Sequence, residues 1–421
     1  MTTQDLLEEE RAPTFSEAPS LWRNRDYVLL WSGQAVSEFG TQVSQIAFPL
    51  LILGITGSPA QAGIAAGLRI LPYLILSLAA GALVDRWDRK RTMILCDSAR
   101  AVALGSIPLA LWSGHLSVAQ LYIVSLLEGT FNVFFGLALT ACLPRVVTRQ
   151  QIAAATAQNE AIFQIAKLLG PLLGGVLYGL GRLVPFLIDA VSYAGSVVSL
   201  FFITTEFQER RTIAARRLWA EIAEGLIWLW NEPLVRAMGF LSSVAWIMLA
   251  AVNLVVIVLA RQQHAGPATI GLILAVGGVG GIIGSLLASP IQRRFSFGQI
   301  VIGSAWLWAI LWPIYAVAPN PAALGVTTAA LNLVWPLYNV TQFSYRRVLI
   351  PDQLQGRVNS VFRLISFSGM PVGLILSGAL LQSIGPRSTV LVLALAPLAM
   401  AVGGTMNQHI RNARPLVEAH K

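Results

Sequence analysis

Apolar positions in this chain run in stretches of about twenty or more residues separated by short polar breaks, the length a helix needs to cross a bilayer core. The pattern predicts twelve helices, at 27–54, 60–84, 92–112, 117–144, 152–179, 183–204, 237–260, 268–291, 299–317, 322–345, 356–383 and 388–405. A transmembrane barrel would read as alternating segments of about ten residues, a pattern the sequence lacks. The longest polar break, 205–236, carries Glu209, Arg210, Arg211, Arg216 and Arg217, then an amphipathic stretch from Leu218 to Trp230. It reads as a cytoplasmic linker with one helix lying on the membrane surface. The chain then divides into a tail at 1–26, a six-helix bundle at 27–204, the linker at 205–236, a second six-helix bundle at 237–405 and a tail at 406–421.

Positive charge fixes the expected orientation. One set of breaks holds Arg86, Arg89, Lys90 and Arg91, then Arg145 and Arg149, the linker arginines with Arg236, then Arg293 and Arg294, and Arg346, Arg347 and Arg357. The tails add Arg11, Arg23, Arg25, Arg411, Arg414 and Lys421, whereas the opposite breaks hold Arg182, Arg261 and Arg387. Lys and Arg favour the cytoplasmic side, so both termini are expected there. Composition agrees with a multi-pass membrane protein: of 421 residues, 55% are hydrophobic and 12% charged, against about 25% charged in soluble domains. The net charge of +9 is a topology signal, and no nucleic-acid partner is expected. Cys96 and Cys142 lie inside apolar runs, which argues against a disulfide framework. The first twenty residues are polar and acidic and lack the pattern of a cleaved signal peptide, so the first helix is expected to act as its own insertion signal.

The two bundles read as parallel repeats. Asn159 and Pro171 recur as Asn359 and Pro371, a shift of 200, while Gly63, Ser77 and Ala80 recur as Gly271, Ser285 and Ala288, a shift of 208. Between the second and third helices stands Gly81-Ala82-Leu83-Val84-Asp85-Arg86-Trp87-Asp88-Arg89-Lys90-Arg91. This resembles the signature loop of the major facilitator superfamily. Asp88 replaces the usual Gly, as in the branch of macrolide-efflux and enterobactin-exporter proteins. The corresponding loop of the second half keeps Arg293-Arg294, with Arg293 in the place of Asp85. Gly170-Pro171-Leu172-Leu173-Gly174-Gly175 is similar to the superfamily's antiporter motif, with Ala166 where a further Gly is usual. Leu143-Pro144-Arg145 with Ala157-Gln158-Asn159, Phe186-Leu187-Ile188-Asp189-Ala190, Glu224-Gly225-Leu226, and Pro351-Asp352-Gln353-Leu354-Gln355-Gly356-Arg357-Val358-Asn359 extend the likeness along the chain.

The resemblance implies an all-α fold of twelve transmembrane helices in two six-helix pseudo-repeats, alternating its access by rocking one half against the other. It assigns a gating role to Gly81, Asp85, Arg86 and Arg89 and to Gly170, Pro171, Gly174 and Gly175. Asp85 can accept N–H bonds at its turn and pair with Arg89 or a helix N-terminus, and in the family such contacts latch the cytoplasmic side shut. Pro171 can bend its helix while the glycines permit close packing.

Glu38, Asp97, Glu128, Glu160, Asp189, Arg69, Arg100, Lys167 and Arg363 fall inside the predicted spans. Each costs about 2.5–3.5 kcal/mol at mid-membrane and so needs a partner, a wet cavity or a proton. Asp97 and Arg100 read as a local pair; Glu160 and Arg363, nearer the cytoplasmic side, as parts of the gate. Glu38 and Glu128 lie near the midplane, Glu38 on a polar stripe with Gln34, Thr41, Gln42 and Gln45. The resemblance places helices 1, 4, 7 and 10 around a central cavity, so Glu38 and Glu128 would face it. They and Asp189 are the expected proton-coupling residues, the alternative being a carboxylate neutralised by Arg69 or Lys167 without a coupling role.

In the second half Asn332, Trp335, Asn339 and Gln342 share a helix face that ends at Arg346, with Tyr338 beside it, and the seventh helix offers Trp246 and Asn253. With Gln34 and Gln42 these are the expected substrate-cavity residues; amides with aromatics suit an amphipathic organic molecule. Trp312 and Tyr315, near helix ends, read as interface anchors. The glycines at 277, 278, 280, 281 and 284 read as close helix packing, since no P-loop Lys-Ser/Thr follows them. His115, His264, His409 and His420 are scattered, so no metal site is expected.

The expected function is therefore transport rather than enzymatic catalysis: proton-coupled efflux of a drug, macrolide or siderophore-like metabolite across a bacterial inner membrane. The expected partners are the bilayer, the small molecule and protons, with no cofactor beyond the proton gradient and a monomeric state. The alternatives are a metabolite uptake symporter or facilitator, a lysolipid flippase, and a non-transporting receptor or scaffold.

Overall fold

The computed structural model describes residues 20–208 and 218–413. Glu209, Arg210, Arg211, Arg216 and Arg217 of the linker, Arg11 and most of the first tail, and Arg414 to Lys421 lie outside the described residues. The first half comprises α1 (Arg25–Thr56), α2 (Pro59–Val84), α3 (Arg89–Trp112), α4 (Val118–Val146), α5 (Ile152–Leu180) and α6 (Val184–Phe202). The linker helix is α7 (Leu218–Asn231). The second half comprises α8 (Pro233–Gln262), α9 (Pro267–Arg294), α10 (Phe297–Leu311), α11 (Pro321–Leu349), α12 (Gln355–Phe367), α13 (Gly369–Leu393) and α14 (Leu395–Met406).

Ten segments among the described residues are long and apolar enough to cross a membrane. One, Asp352–Met406, holds two crossings: Gly385 takes φ 76 within α13, a left-handed conformation that a Cβ disfavours, and breaks the helix there. α11, its hydropathy diluted by Thr, Asn and Tyr, supplies the remaining span, which gives the twelve expected crossings.

Local chemistry sets the helix ends. Asn24, Ser58, Asp88, Ser117, Ser296 and Asn320 each accept a bond from a first-turn N–H, satisfying a group the helix leaves orphaned. Pro59 and Pro267 begin α2 and α9, where a missing N–H costs nothing. The start of α1 is tied to the end of α6 by Asp26, whose Oδ2 accepts from the Thr204 and Thr205 backbone N–H groups at 3.1 and 2.8 Å.

Within the first half α1 packs on α5 and α6, α2 on α4, and α3 on α4 and α6; the second half repeats this with α8 on α13, α9 on α11, and α10 on α11 and α14. The glycine run of α9 packs closely as expected: a Cβ on Gly280 or Gly284 would lie 2.0 Å from the carbonyl oxygen of Ala329 or Leu333 of α11. Trp312 and Tyr315 are not interface anchors. They are 0% and 1% exposed, Trp312 Nε1 donating to Val390 O at 3.0 Å and Tyr315 bonding Thr328 Oγ1 at 2.9 Å. The chain breaks at Pro313 after α10, and both polar tips find partners inside the second half.

The halves meet along α5–α9 and α2–α13. A Cβ on Gly63 would sit 3.0 Å from the Gly378 Cα, and one on Gly175 3.0 Å from the Gly271 Cα. Pro59 O lies under Gly378 just as Pro267 O lies under Gly175. One contact is thus made twice, at the ends of the bundle remote from the described chain termini.

Candidate functional site

Charge is concentrated inside the first half. Arg69 of α2 places Nη2 3.3 Å from Glu128 Oε2 of α4, and Arg100 of α3 places Nε 3.4 Å from Glu128 Oε1. Arg100 also pairs with Asp97 at 3.3 Å and donates to Asn132 Oδ1 at 3.3 Å. The Tyr193 ring of α6 lies 4.0 Å from the Arg100 guanidinium carbon, and its hydroxyl is 2.6 Å from Thr41 Oγ1 of α1. Asp189, one turn before Tyr193 and fully buried, sits in electrostatic reach of Glu128, Arg100 and Arg69, yet no cation among the described residues is within ion-pair distance. Its Oδ1 accepts from Ser192 Oγ at 3.4 Å. Three carboxyls thus share two guanidiniums. Fully ionised, the group would hold one excess negative charge away from water, which a single proton removes.

A central cavity of about 250 Å³ lies between the halves, walled by α1, α2, α4 and α5 on one side and α8, α11 and α13 on the other. Arg69 reaches its wall, joining the buried charges to the cavity. Trp246, Asn253, Asn332 and Trp335 line it. The two tryptophan rings stand edge to face at 4.9 Å, and Phe367 packs on Trp246 at 4.7 Å.

Toward the face carrying the termini the halves part around a cleft of about 660 Å³ bordered by Tyr73, Gly81, Asp85, Asn132, Gly136, Ser360 and Arg363. A Cβ on Gly81 or Gly136 would meet nothing within 4 Å. Arg363 donates to the Tyr73 hydroxyl across the cleft. Asp85 pairs with Arg89 at 3.6 Å within its own loop and touches no cation of the second half. Arg89 Nη1 bonds Ala141 O at 2.9 Å and Phe207 O at 3.3 Å, and Lys90 Nζ bonds Ile203 O at 2.7 Å, so the signature loop is fastened to the ends of α4 and α6. Arg86 is exposed. The linker helix docks on the second half: Arg357 Nη1 meets Glu224 Oε2 at 2.5 Å, and a Cβ on Gly225 would lie 2.8 Å from Arg357 O.

Several expected placements change. Glu128 does not face the cavity; it is 1% exposed behind Arg69, held by two guanidiniums. Glu38 borders neither cavity nor cleft; it is half-buried and accepts from Gln42 Nε2 at 2.7 Å, two turns along the stripe from the lining residue Gln45. Gln34 and Gln42 likewise stand off the cavity wall, as does exposed Asn339. Tyr338 and Gln342 turn into the second half, each 1% exposed, Tyr338 lying 5.2 Å from the Trp308 ring. Glu160 is exposed and bonded to Gln164. Gly170 and Gly174 pack α5 on Gln42 and Val43 of α1, while Gly175 and the Pro171 carbonyl meet Gly271 across the halves. Sequence reasoning missed Lys167 as a lining residue and Tyr193 as the ring on Arg100. The second had a signal, since Tyr193 follows Asp189 by four residues on one helix face.

Two packed six-helix halves enclosing a central cavity, with buried charges beside it, define a membrane transporter of the major facilitator fold. The transmembrane secretion effector family matches residues 17–418, and the chain belongs to that family, within the major facilitator superfamily. It is 27% identical to the multidrug efflux pump Tap of Mycobacterium tuberculosis over 85% of this chain and 87% of that one. It is 24% identical to macrolide efflux protein A of Streptococcus pyogenes, covering 93% and 97%, and 23% identical to the enterobactin exporter EntS of Salmonella choleraesuis, covering 80% of each. Among solved structures, a bacterial homologue of the iron transporter ferroportin in its inward-facing state superposes with a TM-score of 0.70 at 17% identity, over 92% of this chain and 98% of that one. The outward-facing state of such a homologue superposes at 0.57, also at 17% identity, over 90% and 98%.

Proposed function

We propose that this transporter exports an amphipathic organic small molecule from the cytoplasm of a bacterium, by alternating access, in exchange for protons. The observation that carries the coupling is the sealed group of three carboxyls and two guanidiniums, connected to the cavity through Arg69. A proton on Glu128 or Asp189 removes the excess charge, and one on Glu128 also loosens the hold on Arg69, so proton occupancy and cavity chemistry change together.

The arginine-rich loops and the open cleft lie on one face. The positive-inside rule makes that face cytoplasmic, so the arrangement is inward-open and the glycine contacts seal the outside. Return to the outward-open form requires Asp85 to latch against the second half. Efflux as the direction is supported by the three relatives, whose names describe export of several drugs, of macrolides and of enterobactin.

The test is flux in proteoliposomes under an imposed pH gradient. The expected result is uphill movement of a lipophilic reporter that a protonophore abolishes. In Asp189→Asn, uphill movement is lost while downhill exchange persists. Gradient-driven accumulation at the wild-type rate in both Asp189→Asn and Glu128→Gln overturns the coupling.

A further inference from the structure

The central cavity carries a charge asymmetry that export alone does not require. Its wall holds two cationic side chains, Arg69 and Lys167, and no carboxylate; the polar remainder, including Asn253 and Asn332, is uncharged. Arg69 has five N–H donors in a planar fork. Only Nη2 is engaged, with Glu128 Oε2 at a long 3.3 Å, and the side chain stays 17% exposed. Lys167 is exposed on α5, and among the described residues no carboxylate stands within ion-pair distance of it. Glu160, the acidic residue on the same helix, is engaged by Gln164 Nε2 at 2.7 Å.

We infer that this cavity selects an organic anion: an amphipathic acid whose carboxylate, phenolate or phosphate is held by Arg69 and Lys167 while its apolar body lies against Trp246 and Trp335. The inference rests on the export reading in taking this cavity as the place where cargo sits. A guanidinium fork matches the two oxygens of a carboxylate, and an apolar wall strengthens each charge contact by lowering the local dielectric. With the excess charge behind Arg69 neutralised by a proton, a cationic amphiphile of the same shape meets two like charges and no carboxylate in the wall, so the site discriminates by repulsion as well as attraction. An anion on the free edge of Arg69 competes with Glu128 for one guanidinium, so cargo binding loosens the pair on which the proton acts.

The test is equilibrium binding to the full chain in nanodiscs with three probes that share one ring system: naphthoate, naphthylmethylammonium and naphthylmethanol. Naphthoate is expected to bind at least about tenfold more tightly than the ammonium, the range of a hydrogen bond to a charged group. Arg69→Gln and Lys167→Gln each remove about tenfold of the anion's affinity and leave the alcohol's nearly unchanged. Trp335→Ala weakens all three probes alike. Lys167→Gln keeps the test decisive if Arg69→Gln fails to fold, because Lys167 makes no ion pair among the described residues. Decanoate against decylammonium distinguishes the two sources of such an acid: equal preference for decanoate points to an acyl lipid, and preference for naphthoate alone to an aromatic acid. Ammonium binding as tight as the anion's, or an unchanged anion affinity in Lys167→Gln, overturns the inference. Charge-selective binding without gradient-driven flux would leave it standing and remove the export reading; flux without charge selection would do the reverse.

Discussion

The two halves repeat the same helix contacts and fill them with opposite chemistry. By the shift of 208 that relates Gly63 to Gly271, Arg69 of α2 corresponds to Gly277 of α9. Arg69 meets Glu128 of α4, and Gly277 meets Asn332 of α11, whose Nδ2 would lie 3.1 Å from an added Cβ. A buried ion pair in one half is thus a glycine–asparagine contact in the other. The second half fills its interior with Trp308, Trp312, Tyr315 and Tyr338, each at most 1% exposed and each except Trp308 and Trp312 bonded through a hydroxyl. Both indoles donate to carbonyls instead, Trp308 to Leu331 O at 3.1 Å. The packing scheme does not demand buried ion pairs: among the described residues the second half buries no carboxylate, and its one buried cation, Arg346, lies over the Phe362 ring at 3.6 Å. The charges of the first half stand at a membrane cost of about 2.5–3.5 kcal/mol each, which favours a functional reason for keeping them.

The largest expected effect comes from breaking the pair on one side of this comparison. Glu128→Leu leaves Arg69 with no carboxylate in ion-pair distance among the described residues and Arg100 with Asp97 alone, and is expected to destabilise the protein by about 3–5 kcal/mol, the cost of breaking a buried ion pair. Arg69→Met leaves Glu128 on Arg100 at 3.4 Å but raises the excess negative charge of the group from one to two, and is expected to cost a similar amount. Asn332→Ala, at the equivalent contact, removes one bond to Thr328 O and is expected to cost about 1 kcal/mol. Thermal unfolding of the purified variants in one detergent checks the order. Equal losses for Glu128→Leu and Asn332→Ala would mean that the two contacts carry the same energetic weight.

Glycines separate packing within a half from packing between halves. Gly280→Val drives a Cβ toward a carbonyl oxygen inside the second half, where neither helix can withdraw; overpacking of this kind costs about 1–3 kcal/mol. Gly271→Val creates a similar clash against Pro171 O, but across the interface, where the halves can separate. Its stability is expected to stay near wild type while the population shifts away from the arrangement sealed at this end. A cysteine placed at Ala66 in the cavity wall would report the shift through faster labelling by an impermeant maleimide added on that side, Cys96 and Cys142 both being buried. Unchanged labelling would show that the interface yields by local repacking.

Fold was legible because it depends on features carried within single helices. Long apolar runs gave twelve spans, and recurring spacings gave the repeat. Asp97 with Arg100 was legible for the same reason, being three residues apart on one helix. The site was less so. Arg69 and Glu128 stand on different helices, and no period in either specifies which face meets which. Tyr338 and Gln342 share a stripe with Asn332 and Trp335, but the stripe is wider than the cavity and its far edge turns into the bundle. Trp312 and Tyr315 looked like anchors because position along a span was all the sequence offered. The break at Pro313 and the partners Val390 and Thr328 belong to the tertiary structure.

The smallest effects on stability belong to the loops, where the halves differ most visibly in sequence. Asp85 pairs with Arg89 at 3.6 Å with its carboxylate 51% exposed, whereas exposed Arg293 holds the matching place in the second half. Exposed pairs contribute about 0–1 kcal/mol, so Asp85→Asn is expected to leave the melting temperature almost unchanged. Arg89→Ala loses bonds to Ala141 O and Phe207 O as well and is expected to cost about 1–2 kcal/mol. If Asp85 latches the second half in the outward-open form, Asp85→Asn slows steady-state flux while Arg293→Ala does not. A variant with full stability and reduced turnover is the signature of a residue that acts in the state not seen here. Equal turnover in both variants would reduce Asp85 to a tether for Arg89 and leave the glycine contacts to govern the exchange of states.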